Sequence, residues 1–167
     1  MDPAPSCGDC WTWRPIVVAL EQQETTMSIE QNKNLVQQFV EEFWSSGNLD
    51  AADKLMSPDV VIHTPPVGNV DGLKVFAAEL RRAFPDWRST VEEMIAEGDR
   101  VAERWTGRGT HLGDFQGIPS TGRQVEVPGV VFYRIAGGKI AEFRGSFVAM
   151  SMMQQLGVIS GAAASSA

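Results

Sequence analysis

Gln124-Val-Glu-Val-Pro-Gly-Val-Val-Phe-Tyr-Arg-Ile-Ala-Gly-Gly-Lys-Ile-Ala-Glu-Phe-Arg-Gly-Ser-Phe-Val148 is the stretch on which the fold turns. It reads as two strands, 124–135 and 140–148, joined by the tight turn Ala136-Gly-Gly-Lys139, because glycine reaches the positive φ that a short hairpin demands. A second hairpin precedes it. Trp87–Glu97 and Val101–Thr110 are strand segments, and Glu97-Gly-Asp-Arg100 is the turn between them. Between the hairpins, residues 113–123 are rich in Gly, Pro and Ser and read as a loop.

Upstream of the hairpins the period changes from two to helical. Ile29, Leu35, Val36, Phe39, Val40, Phe43 and Trp44 form one apolar stripe over 29–45. Ser28 is placed as its N-cap, with Gln31 three residues on as in a capping box. A short helix over 49–56, stopped by Pro58, leads to a strand at Val60–Ile62 and a loop at Pro65-Pro-Val-Gly68. A third helix starts at Asp71 or Gly72, turns Leu73, Phe76, Ala77, Leu80 and Phe84 inward, and stops at Pro85. Met150–Leu156 is a terminal helix capped by Gly157. Helices followed by antiparallel strands predict an α+β fold. The expected architecture is a cone, with a curved antiparallel sheet wrapped over three N-terminal helices. Such a sheet leaves a hollow, here a largely apolar pocket suited to a small molecule.

One domain is expected over 28–159. Residues 1–27 hold three prolines, Trp11, Trp13 and no sustained periodicity, and are expected to be a disordered extension; 160–167 is expected to be a frayed tail. With a net charge of −7, the chain is a poor partner for nucleic acid or anionic lipid. No apolar run approaches the roughly 20 residues of a membrane span. Ile16–Leu20 is too short for a signal core and follows no cationic segment, so a cytoplasmic protein is expected. Both cysteines, Cys7 and Cys10, lie in the tail. Their spacing is that of half a zinc site, but no second ligand pair stands nearby, so no metal and no cofactor are expected. Ser120-Thr-Gly-Arg123 lacks the Gly-Lys-Ser/Thr core of a phosphate loop.

Several segments carry a family resemblance: Asn34-Leu-Val-Gln-Gln-Phe, Trp44-Ser-Ser-Gly-Asn, Ser57-Pro-Asp-Val-Val-Ile-His, Phe84-Pro-Asp-Trp, Gly109-Thr-His-Leu-Gly-Asp-Phe-Gln-Gly-Ile-Pro-Ser-Thr-Gly-Arg, Tyr133-Arg-Ile-Ala-Gly-Gly-Lys-Ile and Gln154-Gln-Leu-Gly. In this order the chain resembles the SnoaL-like polyketide cyclases, of the ester cyclase type, within the nuclear-transport-factor-2-like superfamily. The resemblance covers about Glu30 to Gly157 and implies an α+β cone, often a homodimer. It implies cofactor-free proton transfer on a small apolar carbonyl compound, with cyclisation or isomerisation as the outcome. Relatives of this fold also include hydroxylases, and fold alone does not choose between them.

The resemblance places an assisting histidine at Val131 and an acid–base aspartate at Gly145, and neither residue present can carry a proton. A non-catalytic binding domain is therefore a second expectation, and a hydroxylase-type relative a third. The candidates for replacement chemistry are His63, at the end of the 60–62 strand, His111, Tyr133 and Arg104. His63 is placed as the base, since imidazole titrates nearest neutrality. Tyr133, Arg104 or His111 would polarise the carbonyl. His111 could instead pin the 113–123 loop, or that loop could be a lid hinged at Gly113, Gly117 and Gly122. Trp44, Phe39, Trp87, Val131, Phe143 and Gly145 are placed on the pocket wall, and Trp105 in the core or the wall. Strand alternation turns Glu142 and Arg144 outward, as an ion pair or in a dimer contact. The partner expected is a small molecule.

Overall fold

The computed structural model describes residues 29–64 and 68–159. The proposed extension, the Ser28 cap, both cysteines, Pro65–Val67 and the C-terminal tail lie outside the described residues. Helix α1 spans 29–39 and runs without a break into a π-helical segment, Val40–Ser45. The stripe read as one helix is present, but its last six residues are wound wider. Ser46 N donates to Glu41 O at 2.8 Å, the long reach of a π turn. Arg81 closes the end, its Nη2 donating to the carbonyls of Trp44 and Ser45 at 2.8 Å each. The wide turn buries Phe43, which stacks on Phe39 at 5.1 Å, while Trp44 sits edge-on to Phe43 at 4.9 Å and lines a cavity.

Helix α2 (Asp50–Leu55) passes directly into strand β1 (Met56–Ile62), so Pro58 lies inside a strand and not at a helix stop. This is possible because β1 is an edge strand, where a missing N–H breaks no necessary ladder bond. Helix α3 (Val70–Ala83) starts one or two residues earlier than expected, since Asn69 is the cap and its Oδ1 accepts from Gly72 N at 2.8 Å. Strands β2 (Arg88–Glu97), β3 (Arg100–Thr110), β4 (Gln124–Ala136) and β5 (Lys139–Phe147) follow, then helix α4 (Ala149–Leu156). The strand order is β1-β5-β4-β3-β2. Strands β2 to β5 pair antiparallel through the two expected hairpins. Strand β1 joins β5 in parallel, so the sheet is mixed and not wholly antiparallel. Among the described residues no helix is long and apolar enough to cross a membrane.

Strand β4 alternates cleanly. Val125, Val127, Val131, Tyr133 and Ile135 are buried, while Pro128, Val130 and Phe132 face out. The buried side chains form two clusters. One joins α1, α2, β1 and the hairpin ends; the other joins the end of α3, Phe115 and α4. Trp44 and Trp105 pack against both clusters, and the cavity lies between them. Two glycines make room for the indoles. A Cβ at Gly107 would lie 2.2 Å from Trp87, and one at Gly129 2.4 Å from Trp105. Helix α4 is clamped to β4 by Gln155, whose amide accepts from Glu126 N at 2.7 Å and donates to Glu126 O at 2.8 Å, as a neighbouring strand would.

Gly129→Ala is expected to destabilise the protein by about 1–3 kcal/mol, because the indole of Trp105 cannot yield without disturbing both clusters. A urea titration checks this, with a lower midpoint at an unchanged slope as the expected result.

Candidate functional site

The cavity has a volume of about 260 Å³ and largely apolar walls. Val40 and Trp44 contribute from the π turn, Phe76 and Leu80 from α3, and Met152 from α4. The sheet contributes Trp105, Val127, Val131 and Phe143, and the remaining wall includes Trp87 and Phe115. The polar residues of the lining are Thr64, Ser89, Glu103, Gln116, Tyr133 and Ser146, beside the three indoles.

Glu103 and Tyr133 are each only 2% exposed, and both face this apolar space. The Tyr133 hydroxyl donates to Glu103 Oε2 at 2.6 Å. Among the described residues the other carboxyl oxygen, Oε1, has no protein partner. Burial pushes the Glu103 carboxyl up from its ordinary 4.5 to about 7, and the hydrogen bond from Tyr133 offsets part of that rise. Tyr133 is held well above the usual phenol range by burial first, then by the adjacent negative charge and the hydrogen bond. Phe39 meets Tyr133 edge-on at 6.4 Å and Phe143 does so at 5.5 Å, so the phenol ring is fixed on two sides. A carboxyl group that titrates near neutrality in a water-poor site can both accept and return a proton.

The sheet register sets what surrounds the carboxyl group. Glu103 stands directly opposite Val131, and Val131 opposite Gly145. Gly145 N donates to Thr64 Oγ1 at 2.8 Å, and the Thr64 hydroxyl donates to Gly145 O at 3.1 Å. The row thus runs from a carboxyl group across two small apolar residues to a hydroxyl.

Of the residues expected at the site, Trp44, Trp87, Val131, Tyr133, Phe143 and Gly145 line the cavity. Phe39 does not; it is fully buried behind Tyr133. His63 lies outside the cavity. Its N–H donates to Phe143 O and extends the β1 ladder, so alternation sends Thr64 inward and His63 outward. There His63 Nε2 meets Glu142 Oε1 at 2.8 Å, both side chains being partly exposed. Glu142 also accepts from Arg134 at 3.2 Å and lies 3.6 Å from Arg144, as an outward-facing cluster. The Arg134 hydrogen bond first, with His63 adding to it, holds the Glu142 carboxyl below its usual range. Arg104 is likewise on the outer face, 3.4 Å from Glu93, because Trp105 takes the inward position beside it.

His111 is fully buried and stacks on Phe84 at 5.0 Å. Its Nδ1 lies 3.1 Å from Thr121 Oγ1 and accepts from Thr121 N at 3.3 Å. His111 N donates to Arg123 O, and Gly122 N to His111 O, each at 2.9 Å. Leu112 N and Gly113 N both donate to Ala83 O. A Cβ at Gly113 would lie 2.7 Å from Arg82 O, so this glycine permits a close approach of the loop to the end of α3. The 113–123 loop is tied down at both ends.

Glu103 is the residue that sequence reasoning missed. The signal was available: it lies two residues from Trp105 and two from Val101 on one strand, and so shares their inward parity. Among the described residues no group of three or more His, Cys, Asp or Glu side chains could hold a metal ion.

The sequence profile described as SnoaL-like polyketide cyclase matches residues 34–156. The fold is shared with AclR from Streptomyces galilaeus, named a "putative hydroxylase", at 29% identity and a TM-score of 0.72 over 78% of this chain and 98% of that one. A "putative polyketide cyclase" from Acidithiobacillus ferrooxidans is 33% identical, with a TM-score of 0.68 over 77% of this chain and 95% of the other. IdmH from Streptomyces antibioticus, also named a "putative polyketide cyclase", is 31% identical, with a TM-score of 0.68 over 76% and 99%. No curated protein matches. The profile spans most of the chain and the cavity residues lie within it, so this protein belongs to the SnoaL-like polyketide cyclase family.

Proposed function

We propose that the protein binds a small, mostly apolar carbonyl compound in the cavity and moves a proton on it, with Glu103 as the acid–base group. The observation that carries this reading is the Glu103 carboxyl group, buried in an apolar cavity, bonded through one oxygen to Tyr133 and with the other oxygen unpartnered among the described residues. In its ionised form Glu103 would take a proton from the carbon beside the carbonyl. As the acid it would return that proton to another position, which is the elementary step of isomerisation and of aldol closure. Tyr133 would steady the carboxylate between the two steps. The work expected of His63 passes in this reading to a residue on the next strand from Val131.

A second reading has its own support. With Val131 and Gly145 at the positions where the family resemblance places proton carriers, the cavity could bind without turnover. Hydrogen–deuterium exchange at the methyl group of 2-acetylnaphthalene, followed by NMR, separates the two. Catalysed exchange is expected to rise as pH passes through about 7 and to fall by roughly 10²–10⁴-fold in Glu103→Gln. His63→Ala is expected to leave it unchanged. Exchange in Glu103→Gln equal to that of the native protein would remove Glu103 from the mechanism, and binding with no exchange in the native protein would favour the second reading.

The raised carboxyl also makes a stability prediction. Between pH 4.5 and about 7 the folded protein keeps a proton on Glu103 that the unfolded chain has released. The contribution of this group therefore falls as pH rises through that window, by about 3 kcal/mol in all. Glu103→Gln keeps an acceptor for Tyr133 and removes the titration. Its advantage over the native protein is expected to grow from pH 4.5 and level off above 7 in urea titrations.

The outer sheet face supports the homodimer that the family resemblance implies. Ile95, 64% exposed, and Phe132, 58% exposed, stand in one cross-strand row with Ala102 between them. Phe132→Arg is expected to give an 18.2 kDa monomer by light scattering, where the native chain gives twice that mass.

A further inference from the structure

We infer that Gln116 reads the ligand: its side-chain amide hydrogen-bonds a polar substituent on the end of the cavity ligand that faces solvent. This rests on the reading of the cavity as a binding site for an apolar carbonyl compound.

Gln116 is the one non-glycine residue with positive φ among the described residues, at 49°. It stands with Gly117, φ 82°, at the centre of a two-residue turn. Phe115 N donates to Ile118 O at 3.0 Å, and Ile118 N to Phe115 O at 2.9 Å. Positive φ at both central positions is the type I′ pattern, which Gly, Asn and Asp fill readily and a long side chain does not. A glutamine there works against the fold, and a backbone outlier of this kind motivates a search for function.

Gln116 is a lining residue of the cavity and is also exposed, which places it at the rim. It makes no hydrogen bond to any described residue. Its platform is packed and hydrogen-bonded in place. Phe115 is buried and packs edge-on against Phe84 at 5.5 Å and Phe76 at 6.3 Å, and His111 and Ala83 anchor the loop. An amide that both donates and accepts, held by a rigid turn at the edge of an apolar cavity, suits a hydroxyl or carbonyl group on the ligand. Glu103 and Tyr133 would take the carbonyl at the sheet. The ligand class is thus a mostly apolar carbonyl compound with a second oxygen substituent on its outer end.

Isothermal titration calorimetry with 6-acetyl-2-naphthol and 2-acetylnaphthalene tests this on the native protein, Gln116→Met and Gln116→Gly. Methionine keeps the volume and the strained backbone but removes the amide. Both variants are expected to bind the naphthol about tenfold more weakly, the scale of one lost hydrogen bond, and to bind 2-acetylnaphthalene as the native protein does. Gln116→Gly is also expected to melt about 2–4 °C higher, because the turn is relieved. Equal changes for the two probes, or an undiminished affinity for the naphthol, would overturn the assignment. So would a melting temperature for Gln116→Gly at or below that of the native protein, because the residue would then serve the fold. If neither probe binds the native protein, the cavity reading itself falls and this inference falls with it.

Discussion

The register between β3 and β4 is the constraint on which the rest depends. It sets Val101 opposite Tyr133, Glu103 opposite Val131, and Trp105 opposite Gly129. The phenol thereby reaches the carboxyl group diagonally, and the indole lies on the one residue with no side chain to obstruct it. A slip of β3 by a single residue would exchange its faces, turning Arg104 inward and Glu103 out to water. Core, cavity and buried carboxyl group are therefore one decision, taken where two long strands pair. The Gln155 clamp on Glu126 and the loop tied to Ala83 close the open end of that pairing.

Much of this was legible in the residues. The Gly-Gly turn, the alternation of 124–135 and the apolar stripe of α1 each follow a local rule, and the structure keeps all three. The parallel edge was not legible. Strand β1 emerges directly from α2, and its partner lies far along the chain, so no short-range pattern announces it. The site was read by residue type more than by parity. Histidine drew attention to His63 because imidazole titrates near neutrality, yet its parity sends it outward to Glu142. Glu103 was passed over because, next to Arg104 in the chain, it reads as half of an outward ion pair. Its low-dielectric surroundings alter its chemistry, and those surroundings are assembled from four strands and three helices.

Family membership and chemistry are separable here. The scaffold is that of the SnoaL-like polyketide cyclases, while valine and glycine fill the two positions where the resemblance places proton carriers. On the reading proposed above, one step across the sheet restores an ionisable group. A carboxyl group opposite Val131 projects into the same space as a side chain at 131 would, since opposed residues in an antiparallel pair are about 5 Å apart. The sheet offers several equivalent mounting points around one enclosed volume, so a proton carrier can change strand without a change of fold.

The aromatic wall has a further consequence. Of the five tryptophans in the chain, Trp44, Trp87 and Trp105 border the cavity. Each indole is an emitter whose brightness and colour follow its immediate surroundings. A guest entering that space would displace water from the indoles, stack on them or absorb their emitted light. The cavity therefore carries its own optical gauge of occupancy, and unlabelled protein can be screened against metabolite mixtures before any reaction is known.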